Sequence, residues 1–131
     1  MPMEKIVSVL EKEPPVLFAY LFGSYARGKQ TDGSDIDVAV YLDRLEKDPL
    51  YSSRLALKIE NALESKISAD VRILNGARLR FRHQVLKFGK LIYSKDEKAR
   101  IDFEVHSIRR YMDFKPYLDR YNKARMERLK S

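Results

Sequence analysis

The sequence predicts an α+β fold, α/β-like in its alternation: a small mixed β-sheet flanked by helices. Three observations lead there. Short apolar runs at residues 16–22, 35–42 and 69–74 are bounded by Pro, Gly or polar residues, as strands are. Segments with apolar residues at helical spacing lie before, between and after them. Only about a dozen residues join the first two runs, too few for a parallel crossover through a full helix, so the sheet is mixed rather than all-parallel.

Each element follows from local chemistry. In residues 3–12, MEKIVSVLEK, Ile6, Val7 and Leu10 recur at helical spacing, and Pro14-Pro15 stop the helix. VLFAYLF, 16–22, reads as a buried strand. Residues 23–34 form a loop that can open with one helical turn. DIDVAVYL, 35–42, is the second strand. Pro49 precedes a helix with Leu50, Leu55, Leu57, Ile59, Ala62 and Leu63 as its apolar positions, ending near Lys66. ADVRIL, 69–74, is the third strand, broken by Gly76. Residues 78–88 form a basic amphipathic helix ended by Gly89, and LIY, 91–93, is a short strand. A long helix starts near Lys95 or Asp96, and Pro116 is expected to kink it or divide it. Residues 1–131 are read as one domain whose core closes by residue 94, with 95–131 as a C-terminal helical extension.

Composition narrows the function. The chain has 131 residues, 44% hydrophobic and 34% charged, and no cysteine, so disulfides and thiolate metal sites are excluded. No apolar run has the length to span a bilayer, so no membrane partner is expected. The first residues are too acidic, and their apolar part too short, for a secretory signal, which points to the cytoplasm. Net charge is +7, and residues 109–131 carry eight basic against three acidic residues. Tyr111, Phe114, Tyr117, Leu118 and Tyr121 fall on one helical stripe there. A basic, aromatic helix at this position reads as a docking surface for a protein partner. Packing on its own domain is the competing reading, and nucleic acid is not the expected partner.

The chemistry concentrates in GSYARGKQTDGSDIDVAV, residues 23–40. On the second strand Ile36, Val38, Val40 and Leu42 point one way, into the core. Asp35, Asp37, Ala39 and Tyr41 point the other way. Two carboxylates with Cα atoms roughly 6–7 Å apart repel each other in a partly dry site, and a hard divalent cation such as Mg²⁺ removes that problem. Gly23 lets backbone N–H groups approach a ligand, and a turn starting at Ser24 aims its free N–H groups at phosphate oxygens. Arg27 and Lys29 add positive charge. If the third strand lies beside the second, Asp70 joins Asp35 and Asp37, where it could hold a second metal and accept the proton from an attacking hydroxyl.

Gly23-Ser24, ten intervening residues, then Asp35-X-Asp37 with a later Asp70 on a strand, resembles the signature of the DNA polymerase β-type nucleotidyltransferase superfamily. In so short a chain it is similar to the minimal nucleotidyltransferases over residues 16–94. The resemblance implies the nucleotidyltransferase fold and transfer of AMP from ATP to a hydroxyl. Asp35, Asp37 and Asp70 would be the catalytic, metal-binding carboxylates for two Mg²⁺ ions. Gly23 and Ser24 would bind the β- and γ-phosphates, with Arg27 as a further nucleotide-binding residue. The implied partner is a HEPN-family toxin whose tyrosine is modified, in a hetero-oligomer where this chain is the antitoxin. A small-molecule transferase of the aminoglycoside type and a non-catalytic toxin-binding module are the alternatives. Arg78–His83 and Arg100–His106 mimic the Arg/His spacing of HEPN ribonucleases, but those proteins are all-helical, so both histidines are read as ordinary helix residues.

Overall fold

The computed structural model describes residues 3–31, 33–44, 47–64 and 67–130. Its elements are α1 (Met3–Glu11), β1 (Val16–Phe22), β2 (Ile36–Leu42), α2 (Tyr51–Leu63), β3 (Ala69–Ile73), α3 (Leu79–Phe88), β4 (Lys90–Ser94) and α4 (Glu97–Lys130). The predicted α+β class and order hold. The four strands form one sheet in the order β3-β2-β1-β4. β1 runs antiparallel to β2 and β4, and β2 pairs parallel with β3 after the α2 crossover, so the sheet is mixed as expected.

Register decides which residues share a face. Ala19 and Leu21 of β1 lie opposite Val40 and Val38 of β2. With Ile36 and Leu42 they form the inner face, packed against Ile6 and Leu10 of α1 and Leu55 and Ile59 of α2. The opposite face is not given over to chemistry alone. Phe18 pairs with Tyr41 and Tyr20 with Ala39, and this half of the face is a second small core with Leu74, Val85 and Phe103. Phe18 and Tyr41 stack with ring centroids 4.8 Å apart, and Phe103 leans on both.

The core therefore does not close by residue 94. Phe103 and Ser107 of α4 are buried, and the Tyr20 hydroxyl donates to Glu104 at 2.5 Å. Arg100 donates twice to the same carboxylate and also pairs with Glu97. Burial and the neighbouring Glu104 charge raise the Tyr20 phenol pKa, which keeps it a donor. The first third of α4 is thus a structural part of the domain.

Beyond Ser107 the same helix is almost bare. Met112, Phe114, Tyr117, Tyr121, Met126 and Leu129 are all exposed. Tyr111 is the exception in the aromatic stripe, since it stacks on His83 of α3 at 3.7 Å. Pro116 does not divide the helix, which is one element of 34 residues, about 51 Å long. Proline removes one backbone bond to the Met112 carbonyl, and on this exposed stretch water can accept that loss. The predicted α2 terminus at Lys66 lies outside the described residues. The described part of α2 ends at Leu63, with Glu64 in a left-handed cap whose N–H reaches the Asn61 carbonyl.

Gly89 fixes the passage from α3 into β4. A Cβ there would sit 2.4 Å from the Val85 carbonyl oxygen and 3.0 Å from that of Leu21. Any larger residue would push α3 off β1, and α3 carries side chains that border the site.

Candidate active site

The site is built where β1 leaves the sheet and β2 enters it. Gly23 has φ +74°, a left-handed conformation that favours glycine. A Cβ on Gly23 would lie 2.3 Å from Oδ2 of Asp37, so the corner and this carboxylate are already in contact. Ser24 to Gly28 then make a single turn. The Arg27 N–H donates to the Gly23 carbonyl at 3.3 Å, and the Lys29 N–H to the Ser24 carbonyl at 2.9 Å. Ala26 is buried and pins the turn to the inner core.

Across the sheet, Asp37 lies opposite Phe22 on one side and Asp70 on the other. Directly paired residues in neighbouring strands project to the same face, so Asp70 joins Asp37 there. The Ile36 N–H, bonded to the Ser68 carbonyl at 2.9 Å, ties the two strand starts together. Asp35 sits just outside β2 at the same end. Burial raises the Asp37 carboxyl pKa, and the charges of Asp70 and Asp35 raise it further, with Arg72 opposing them. Asp35, Asp37 and Asp70 thus lie within electrostatic reach at one end of the sheet.

Arg72 reaches Asp70 at 3.5 Å and also lies over the Phe81 ring at 5.3 Å. Phe81 in turn meets Phe22 edge-on at 5.5 Å. The acids therefore have an aromatic and cationic neighbour in Phe22, Phe81 and Arg72. Of these, Arg72 is legible in the sequence, two residues after Asp70 and hence on the same strand face, whereas Phe22 and Phe81 carry no local sign of a place at the site.

The remaining predicted residues divide. Gly23 stands against Asp37, and Ser24 follows it at the start of the turn. Arg27 places its guanidinium 4.4 Å from the centre of the Phe88 ring, clasping the loop to the end of α3. Lys29 is exposed after the turn. His83 and His106 lie on α3 and α4, as read. Burial and the nearby charges of Lys87 and Lys115 lower the His83 pKa.

The fit to a metal can be judged from the acids. Among the described residues, no group of three or more His, Cys, Asp or Glu side chains is placed to hold a metal ion. Mg²⁺ does not need three protein ligands. It is commonly held by one or two carboxylates together with substrate phosphates. Asp37 with Asp35 and Asp70 around it, offset only in part by Arg72, is a donor set that suits such a cation. A hollow of about 910 Å³ lies elsewhere, between α4 and the loop after β3, lined by Tyr41, Asn75, Arg82, Phe103, His106 and Arg110 among others.

A family model described as polymerase beta, nucleotidyltransferase, matches residues 4–98. The chain belongs to this nucleotidyltransferase family. It is 36% identical over 109 residues to the protein adenylyltransferase MntA of Shewanella oneidensis, covering 82% of this chain and 75% of that protein. Its fold is similar to a chain in the crystal structure of a toxin–antitoxin with AMP-PNP, with TM-score 0.78, 28% identity and full coverage of both chains. It is also similar to a chain of the tri-AMPylated Shewanella oneidensis HEPN toxin in complex with MNT antitoxin. That match has TM-score 0.71 and 26% identity, with 98% of this chain and 96% of that one covered. Among the described residues, no helix of this nucleotidyltransferase is long and apolar enough to cross a membrane.

Proposed function

We propose that this chain is a protein adenylyltransferase that moves AMP from ATP to a tyrosine of a HEPN-family toxin and thereby acts as its antitoxin. The observation that carries the reading is the contact between the Gly23 corner and Asp37, with Asp70 in register on the next strand. The corner supplies backbone N–H groups and the Ser24 hydroxyl for the β- and γ-phosphates. Asp35 and Asp37 would hold the metal that accompanies the triphosphate, and Asp70 with Asp37 a second. Bound Mg²⁺ would neutralise charge on the α-phosphate and the leaving pyrophosphate.

The tyrosine oxygen forms a bond to the α-phosphorus as the α–β anhydride bond breaks. Pyrophosphate leaves with the electron pair, and the phenol proton passes to the Asp70 carboxylate. Arg27, engaged on Phe88, holds the phosphate loop in place and can also offer its charge to the outer phosphates. The bare half of α4, basic and aromatic, is the surface that docks the toxin. Similarity to MntA and to toxin–antitoxin chains supports the partner and the reaction.

The test is incubation with labelled ATP, Mg²⁺ and the HEPN-family protein encoded beside this chain. Label on that protein, lost in Asp35→Ala and Asp37→Ala, is the expected result. A stable complex without label would leave a binding module only, and label confined to small acceptors would make this a small-molecule transferase.

A further inference from the structure

The hydroxyl acceptor must approach from one side of the α-phosphorus while pyrophosphate leaves from the other, because the two oxygens stand roughly in line. The sheet fixes those sides. Gly23 at the end of β1, Asp37 on β2 and Asp70 on β3 lie in that order across three adjacent strands. Strands are about 4.8 Å apart, so the corner and Asp70 are separated by roughly 10 Å with Asp37 between them. With the outer phosphates on the corner, the acceptor is left the Asp70 side.

That side is open. β3 is an edge strand, and the Asp70 side chain is 48% exposed. Two hollows border this edge. One, of about 260 Å³, is lined by Asp70, Val71, Ser52 and Glu60 among others. The other, of about 390 Å³, shares Ser52 and Val71 with it and is bounded by Arg72, Ile73, Arg78 and Phe81. Between them Arg72 touches both the acid and the aromatic ring, at 3.5 Å from Asp70 and 5.3 Å from the centre of Phe81. Phe22 meets Phe81 edge-on, with ring centroids 5.5 Å apart.

We infer that Phe81 and Arg72 form the acceptor wall and select an aromatic hydroxyl. The inference rests on the reading of this chain as an adenylyltransferase. A tyrosine ring entering over the β3 edge lies against the Phe81 ring and the flat Arg72 guanidinium, which favour aromatic partners. Its oxygen then faces Asp70, which takes the proton as the new P–O bond forms and the pyrophosphate departs toward the corner. A serine, threonine or sugar hydroxyl reaches the same carboxylate without that stacking. Phe81 and Arg72 are thus specificity residues, and the corner residues are not.

The experiment is steady-state kinetics with the HEPN-family partner and ATP varied separately, for wild type, Phe81→Leu and Arg72→Gln. Loss of one aromatic or cation–π contact should raise the KM for the partner about three- to tenfold. The KM for ATP should stay within about twofold. A partner carrying serine in place of its acceptor tyrosine should be a poor substrate for wild type, and Phe81→Leu should narrow that gap. Arg72 is 59% exposed, so its replacement serves even if Phe81→Leu destabilises the fold. A rise in the ATP KM with the partner KM unchanged would overturn the assignment and make this wall a nucleoside contact. A wild-type enzyme that labels no protein at all would sink the adenylyltransferase reading first, and this inference with it.

Discussion

Replacing Gly23 by alanine separates geometry from stability at the heart of the site. Gly23 has φ +74°, where an L side chain costs on the order of 1–2 kcal/mol. In a domain of this size that corresponds to a fall in Tm of roughly 5 °C. The second effect is local. The new Cβ would lie 2.3 Å from Asp37 Oδ2, and ordinary contact begins near 3.4 Å, so the carboxylate must retreat by about 1.1 Å. A misplacement of about 1 Å at a reacting centre costs on the order of a hundredfold in rate. Gly76→Ala is the matched control. Gly76 has φ +72° with nothing within 4 Å of the added Cβ, so it carries the strain without the collision. The assay is the initial rate of AMP transfer at saturating ATP and Mg²⁺, beside thermal melts of both variants. Gly23→Ala should lose about two orders of magnitude in rate, and Gly76→Ala should match its melting loss while keeping near wild-type activity. If Gly23→Ala transfers AMP within a few-fold of wild type, the corner does not set the position of Asp37.

Other expectations follow from the same contacts. Because burial and two acidic neighbours raise the Asp37 pKa in the fold, its ionisation weakens the metal-free protein as pH rises through that value. Asp37→Asn should therefore melt higher than wild type at neutral pH in EDTA, with the gap closing below the ordinary carboxylate range; a lower melt at neutral pH would contradict this. Tyr20→Phe removes the bond to Glu104 that ties α4 to the sheet, and should cost about 1.5–2 kcal/mol, read as a shift in the urea midpoint with unchanged slope. Phe103→Ala opens the outer core and should cost about 3–4 kcal/mol by the same measurement. A Tyr117→Asp, Tyr121→Asp double variant should melt like wild type, since both side chains are exposed, yet fail to co-purify with the toxin. Retained binding would move the docking surface elsewhere.

What the sequence made legible is what one strand or helix determines by itself. VLFAYLF and DIDVAVYL are strands because they are short, apolar and bounded by Pro or Gly, and both are observed within a residue of their expected ends. The Asp35-X-Asp37 pair stood out because carboxylates break an apolar alternation, and a face shared with Asp70 needed only β3 beside β2. Properties set by tertiary contact were not legible. Nothing local says that Phe103, thirty-odd residues after β3, completes a core under Phe18 and Tyr41. The start of α4 reads as a charged helix, yet Arg100 and Glu104 are tied to Tyr20. Arg27 reads as a nucleotide-binding residue, and nothing local shows that a phenylalanine sixty residues away also engages it. Phe81 gave no signal, because an aromatic in a basic helix is ordinary until its neighbours are known.

The most direct measurement of the central claim is the intact mass of the HEPN-family partner after incubation with ATP, Mg²⁺ and either wild type or Asp70→Asn. Wild type should add increments of whole AMP units and the variant none, although the variant still binds the partner. Full modification by Asp70→Asn would mean that the carboxylate on β3 takes no part in the transfer, and the three-strand arrangement would no longer explain the chemistry.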